Sequence, residues 1–95
     1  MSTDHNLYAP PLTWGVWYTV QSHLGVHHCH ISLHPASGNT KVYGRVRYYK
    51  GSGGGTQVDE MFTGSISFVT SNSVANIEVC LKGDPWGCGV RVTVD

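Results

Sequence analysis

The sequence predicts an all-β fold: a compact antiparallel β-sandwich, Ig-like or jelly-roll-like, of six or seven short strands. Apolar and polar residues alternate along several short segments, which is the periodicity of a strand with one buried face. Glycine is abundant, at 12 of 95 residues, and Val, Ser, Thr and Tyr are frequent, whereas helix-forming residues are scarce. Turn-rich stretches recur about every 8–14 residues, a spacing typical of small all-β domains.

The chain length fits one domain with one hydrophobic core. We expect residues 1–12 to form an extended N-terminal arm, because Pro10 and Pro11 have no backbone N–H to donate to a sheet. Residues 13–95 then form a single β-sandwich domain without a linker. The predicted strands are residues 13–20, 26–34, 41–50, 57–69, 74–81 and 88–94.

The first predicted strand, residues 13–20, carries Trp14 and Tyr18 on the same face as two valines, so we expect both rings in the core. Trp17 falls on the opposite face. A large ring on that face is either exposed for a ligand or packed against another sheet or subunit.

The second predicted strand, residues 26–34 (VHHCHISLH), holds four of the six histidines. Alternation sends Cys29, Ile31 and Leu33 toward the core and leaves three imidazoles on the solvent-facing side. These three are His28, His30 and His34.

The two closest outward histidines, His28 and His30, suggest a metal site. They lie roughly 6.5–7 Å apart on one strand face, so both imidazoles could share a transition-metal ion such as zinc. A zinc site needs at least a third protein ligand, and His23, Glu78 or an aspartate would have to supply it from another segment. Ordinary surface histidines, or a cluster that gains charge as the pH falls, are the alternatives. The sequence indicates no other cofactor.

The third predicted strand, residues 41–50, alternates most strictly. Its apolar face would enter the core, and its outward face interleaves cations with tyrosines. Arginine offers a planar fork of donors, and tyrosine rings can stack on sugar rings or bases. A solvated face that protects a sheet from aggregation is the alternative. The outward residues are Lys41, Tyr43, Arg45, Arg47 and Tyr49.

The fourth predicted strand, residues 57–69, has Phe62, Ile66 and Phe68 in phase around Gly64, and we expect these three side chains in the core. Two further strands complete the sandwich, at residues 74–81 and 88–94.

These last two strands flank the turn CLKGDPWGC. A simple hairpin would set Cys80 opposite Cys88 and would allow a disulfide, whereas the apolar alternation points Cys80 outward and Cys88 inward. Both arrangements remain open from the sequence. The turn also carries Trp86, which is either an exposed platform for a sugar or a protein, or a ring folded back on the end of the sandwich.

Composition and motifs weigh against several classes of function. The formal net charge is zero and only 13% of residues are charged, so no charge imbalance favours nucleic acid. No apolar run is long enough to span a bilayer. The N-terminus has no signal-peptide pattern, which favours the cytoplasm over secretion unless a leader has been removed. Neither a nucleophile elbow nor a phosphate-binding loop is present, so we expect that the protein is not an enzyme.

Three loops carry the sequences HPASG (residues 34–38), GSGG (residues 51–54) and DPW (residues 84–86). They resemble the three inhibitory loops of the chagasin-like inhibitors of cysteine proteases, which are Ig-like sandwiches. The first loop lacks the Asn and both Thr residues of the family pattern, and the third has Asp84 in place of Arg. The resemblance implies that Trp86 and the glycine-rich loop would fill a protease cleft.

Together these observations predict a non-catalytic binding module that recognises a carbohydrate or protein ligand. The outward face of residues 41–50 and exposed aromatic side chains would form the site, and the edge strands would also allow a homo-oligomer. The alternatives are a chagasin-like inhibitor acting through its loops and a transition-metal-binding protein acting through His28 and His30. The predicted ligand-binding residues are Tyr43, Arg45, Arg47, Tyr49, Trp86 and Trp17.

Overall fold

The computed structural model of the chain describes residues 3–23, 28–50, 56–70 and 75–95. These residues form eight strands in two antiparallel four-stranded sheets, which confirms the predicted all-β sandwich. The described part of the chain contains no helix long and apolar enough to cross a membrane. The strands are β1 (Thr3–Ala9), β2 (Tyr18–His23), β3 (His28–Pro35), β4 (Lys41–Lys50), β5 (Thr56–Phe62), β6 (Ser65–Val69), β7 (Ala75–Asp84) and β8 (Cys88–Val94).

The strands pair as one long hairpin that is centred on the connection between β4 and β5. β4 pairs with β5, β3 with β6, β2 with β7, and β1 with β8. Two more pairings, β3 with β8 and β4 with β7, roll this hairpin into sheet A (order β1-β8-β3-β6) and sheet B (order β2-β7-β4-β5). This strand order is that of a jelly roll, so it selects one of the two predicted types of sandwich.

The core lies between the two sheets and is built from the inward residues of the alternating strands. In β3 the buried side chains are Cys29, Ile31 and Leu33, as the sequence predicts. β4 alternates in the same way from Lys41 to Tyr49. The rings of Tyr48 and Phe68 stack with their centroids 4.0 Å apart and so join the inward side of sheet B to that of sheet A.

The single strand predicted over residues 57–69 is in fact two strands, because the chain turns at Gly64. The φ angle there is 73°, a left-handed conformation that glycine adopts without steric cost. The turn carries the chain from sheet B to sheet A. Just before it, Phe62 packs over Gly44, the residue directly opposite in β4. A Cβ atom on Gly44 would stand 2.7 Å from Phe62 Cζ, so the ring needs a glycine beneath it.

The N-terminal third of the chain differs most from expectation. The segment predicted as an extended arm contributes Thr3–Ala9 to sheet A, where it pairs along its whole length with β8. The strand predicted at residues 13–20 begins only at Tyr18, and the residues just before it are not in a strand. Alternation therefore does not apply to Trp14, and its predicted place in the core is wrong: the side chain is half-buried on the outside of sheet B.

The three cysteines are buried free thiols. Cys88 belongs to the core between the sheets. Cys80 pairs with Arg45 on β4 and so lies on the outward side of sheet B, as alternation predicts. Because these two thiols lie on different sheets and different faces, the structure has no disulfide between them.

Candidate functional site

The outer face of sheet B carries a layer of cationic and aromatic side chains, which we call the cation–aromatic face. The register of β4 and β7 sets Tyr43 opposite Lys82 and Arg47 opposite Glu78. Opposite residues of an antiparallel pair lie on the same face, so these side chains are neighbours. The face comprises Trp14, Trp17, Tyr43, Arg45, Arg47 and Lys82.

Both tryptophans come from the irregular segment before β2, which runs beside the end of β7. The Gly83 N–H donates to the Pro10 carbonyl at 2.8 Å, and the Leu12 N–H donates back to the Gly83 carbonyl at 2.7 Å. Further along, the Gly15 N–H donates to the Leu81 carbonyl at 2.9 Å. These bonds attach the segment to sheet B. Because the segment is not a strand, its side chains do not alternate between the two faces of the sheet, and both indoles can lie on the outer face.

The cations of this face lie against the faces of the rings. The guanidinium carbon of Arg47 is 4.2 Å from the ring centroid of Trp17. The guanidinium carbon of Arg45 is 5.3 Å from the centroids of both Trp14 and Trp17. These distances are within the range of cation–π attraction. Lys82 Nζ is 5.0 Å from the Trp14 centroid and 5.2 Å from the Tyr43 centroid, and Lys41 Nζ is 5.3 Å from the Tyr43 centroid.

Both arginines are also paired with carboxylates. Arg47 donates to the two carboxylate oxygens of Glu78, at 2.8 and 3.2 Å. Arg45 donates from Nε to one oxygen of Asp59 at 3.2 Å and from its terminal nitrogen to the other. Hydrogen bonding to its carboxylate raises the pKa of each arginine. The face therefore presents neighbouring donors and acceptors, and the two guanidinium charges are balanced in place.

A buried thiol lies beneath this layer. Cys80 is on the outward side of β7, yet only 1% of its surface is exposed, so the cation–aromatic face must cover it. Burial raises the pKa of Cys80 to about 11, and the nearby charge of Arg45 opposes part of that rise. At neutral pH the thiol is therefore protonated and is a poor nucleophile.

The structure brings four of the six predicted ligand-binding residues into this face: Trp17, Tyr43, Arg45 and Arg47. Tyr49 shares the outward side of β4 but lies toward the far end of the strand.

The sixth predicted residue, Trp86, lies in the turn between β7 and β8. Trp86 is 65% exposed, so its ring is not folded back on the sandwich, and its role as a platform for a ligand stays a prediction. Thr40 holds the backbone of this turn: its hydroxyl donates to the Trp86 carbonyl at 2.8 Å and accepts from the Trp86 N–H at 3.0 Å. The turn sits at the end of β4 where Lys41 pairs with Asp84.

The outward histidines of β3, which include His28 and His30, lie on the outer face of sheet A, on the other side of the molecule. A hydrogen bond of 2.6 Å joins His30 Nδ1 to Ser67 Oγ. Glu78, one of the third ligands considered, is on sheet B, and the side chain of His23 lies outside the described residues. No group of three or more metal-binding side chains forms a site among the residues described. Of the aspartates considered, Asp95 lines the same groove as His28 and His30, and metal binding stays a prediction.

The described strand ends that flank the three loops resembling those of chagasin-like inhibitors do not all lie at one end of β4. Thr40 and Trp86 join the first loop to the third. The glycine-rich loop, whose residues lie outside the described ones, connects Lys50 with Thr56, at the end of β4 opposite Lys41. A strand of ten residues spans roughly 30 Å. The protease-inhibitor hypothesis stays a prediction.

Sequence reasoning missed the residues that complete the face. Asp59 and Glu78 bind the arginines from neighbouring strands, and Lys82 lies beside Tyr43. Only the strand register brings them together, and their sequence positions give no such signal. Comparisons with models of protein families, with curated proteins and with solved structures found no significant match.

Proposed function

We propose that the protein is a non-catalytic binding module that recognises a carbohydrate through the cation–aromatic face. The observation that carries this proposal is that half-buried rings, among them Trp17 and Tyr43, lie beside arginine–carboxylate pairs on one sheet face. Aromatic faces pack well against the apolar C–H faces of sugar rings. The arginine forks and carboxylate oxygens supply the donors and acceptors that sugar hydroxyls require.

The pairing of both arginines of the face with carboxylates favours an uncharged glycan. Each arginine is matched by a carboxylate, so an anionic group would have to compete with Asp59 or Glu78 for the same donors. Sugar hydroxyls both donate and accept, so they can add to the existing pairs without breaking them. We therefore expect neutral oligosaccharides to bind better than sulfated or phosphorylated ones.

A glycan array probed with the full chain, followed by calorimetry on the glycans that bind, tests this proposal. We expect Trp17→Ala to weaken binding roughly ten-fold, about 1.4 kcal/mol, because the ring both contacts the sugar and supports Arg47. Val16→Ala is the matched control, since Val16 is an exposed neighbour outside the face. Circular dichroism and thermal unfolding establish that both variants fold.

Two results would contradict the assignment. In one, no glycan binds the wild-type chain. In the other, Trp17→Ala and Val16→Ala bind equally well. A loss of binding in Trp86→Ala alone would move the carbohydrate site to the turn between β7 and β8.

A protein ligand is the second candidate, and exposed apolar side chains near that turn favour it. Leu12 and Trp86 expose 67% and 65% of their surface, and Tyr8 is also exposed. They are neighbours, because the Tyr8 hydroxyl lies against Gly87 and the Leu12 N–H binds the Gly83 carbonyl. Exposed apolar patches of this kind are typical of protein interfaces. Analytical ultracentrifugation of the wild type and of Trp86→Ser tests the simplest case, a second copy of the chain.

A further inference from the structure

We propose a second binding site, for a tetrahedral oxyanion such as a phosphate or sulfate group, on the outer face of sheet A. Arg91 of β8 is its centre, between Asn6 of β1 and His34 of β3. The site lies on the opposite side of the sandwich from the cation–aromatic face, and it does not depend on the function proposed for that face.

Strand register aligns these three side chains in one row. Asn6 is directly opposite Arg91 in the pair β1–β8, and His34 is directly opposite Arg91 in the pair β3–β8. Residues directly opposite in antiparallel strands have Cβ atoms roughly 4.5–5.5 Å apart on the same face. All three residues are exposed, so their nitrogen donors face solvent from three adjacent strands.

A groove of about 410 Å³ adjoins this row, and the three residues contribute to its lining. Gly89, also in the lining, leaves open space on the same face, because a Cβ atom there would meet nothing within 4 Å. Tyr8 is directly opposite Gly89, but its hydroxyl lies over Gly87, away from this space. The open floor gives a ligand direct access to the guanidinium group.

Within the part of the chain that the structure describes, the charge of Arg91 has no carboxylate partner. The other two arginines are bound to carboxylates, whereas Arg91 forms no ion pair among the residues described. The acidic side chain in the adjoining row, Asp4, accepts a hydrogen bond of 2.9 Å from the Thr93 hydroxyl. An exposed arginine between two polar neighbours and without a carboxylate partner can form its ion pair with an external anion.

The geometry of the donors points to a tetrahedral oxyanion. The guanidinium fork can bind two oxygens of one ligand, and Asn6 and His34, the residues directly opposite Arg91 on either side, carry further nitrogen donors. A phosphate or sulfate group offers at least three oxygens to these three neighbouring donor groups, whereas a carboxylate offers only two. The groove also leaves room for the organic group that carries the anion.

Two-dimensional amide NMR of the full chain tests the site directly. Sodium phosphate and sodium sulfate are titrated at constant ionic strength, and sodium acetate is titrated in parallel. We expect saturable shifts at the amides of Asn6, His34, Gly89 and Arg91 with phosphate and sulfate. Arg91→Ala should weaken binding roughly ten-fold or more, since it removes charge-assisted hydrogen bonds. Lys41→Ala, which removes an exposed cation from sheet B, should leave the affinity unchanged.

Gly89→Val tests the contribution of the groove to binding while the charge of Arg91 is retained. The new side chain has space in the fold, so the variant should be as stable as the wild type, yet it should weaken phosphate binding because it fills the floor. The proposal is overturned if no saturable shift occurs, if Arg91→Ala and Lys41→Ala have equal effects, or if Gly89→Val binds as well as the wild type. If acetate bound as tightly as phosphate, the assignment of the ligand as a tetrahedral oxyanion would be wrong.

Discussion

The guanidinium group of Arg47 lies over the ring of Trp17, 4.2 Å from its centroid, while its edge donates to both carboxylate oxygens of Glu78. The arginine is thus held on its face by the segment before β2 and on its edge by β7. Both residues belong to the cation–aromatic face, so we expect their contact to be part of the layer that covers Cys80.

The reactivity of Cys80 should report on that cover. The thiolate is the reactive species, and burial raises the pKa of Cys80 to about 11, so we expect alkylation by iodoacetamide at mildly alkaline pH to be slow. Trp17→Ala should accelerate it roughly ten-fold or more by admitting water and reagent. Peptide mass spectrometry measures the rate at Cys80, and Trp86→Ala serves as a control that alters only an exposed ring. Equal rates in all three proteins would contradict the covering role of Trp17.

Stability should fall at alkaline pH because of the same thiol. The pKa of Cys80 in the fold, about 11, is above its ordinary value of 9.0, so folding favours the protonated form. Its contribution to the free energy of unfolding is complete below pH 9.0 and is lost as the pH rises through about 11. Urea unfolding over this range should therefore show a shallower decline in Cys80→Ala than in the wild type. Cys29, whose pKa burial also raises, is retained in both proteins, so identical pH profiles would contradict the assignment to Cys80.

Thr40 should contribute to stability through its hydroxyl alone. Thr40→Val keeps the shape of the side chain but removes both hydrogen bonds to the backbone of Trp86. We expect a loss of about 1–2 kcal/mol in the free energy of unfolding, measured with urea. Thr40→Ser retains the hydroxyl and should lose less. If the valine variant were as stable as the wild type, the two bonds would not hold the turn.

Gly44 should not tolerate a methyl group. In Gly44→Ala the new Cβ would stand 2.7 Å from Phe62 Cζ and 3.2 Å from Leu33 Cδ1, both in the core. We expect a destabilisation of about 1–3 kcal/mol in urea unfolding. Gly89→Ala is the matched control, because its Cβ meets nothing, and it should change stability by less than about 0.5 kcal/mol. Equal stability of the two variants would show that the Phe62 ring shifts without cost.

The sequence predicts the strands that alternate strictly, and it predicts them with the right face inward. β3 and β4 are the clearest cases, and the outward direction of Cys80 follows from the same rule. Alternation fails where the backbone leaves the strand conformation. The turn at Gly64 divides one predicted strand into two, and Trp14 precedes the point where β2 begins.

Neither candidate site could be predicted in full from local sequence patterns. Arg47 and Glu78 lie far apart in the chain, as do Asn6 and Arg91, and each pair meets only through strand register. Register between distant strands depends on how the whole hairpin rolls up. The sequence thus identified the outward residues of β4 but neither their carboxylate partners nor the groove on sheet A.

The nested pairing of the strands also implies an order of folding. β4 and β5 are joined by a short connection, whereas β1 and β8 bring Thr3 to Val94. Closing a long loop costs more chain entropy than closing a short one, and each inner pair shortens the loop that the next pair must close. We therefore expect the chain to assemble outward from β4–β5 and to dock β1 last. Since Asn6 reaches Arg91 only in that final step, a phosphate ion bound there would act as a kinetic marker of the completed fold.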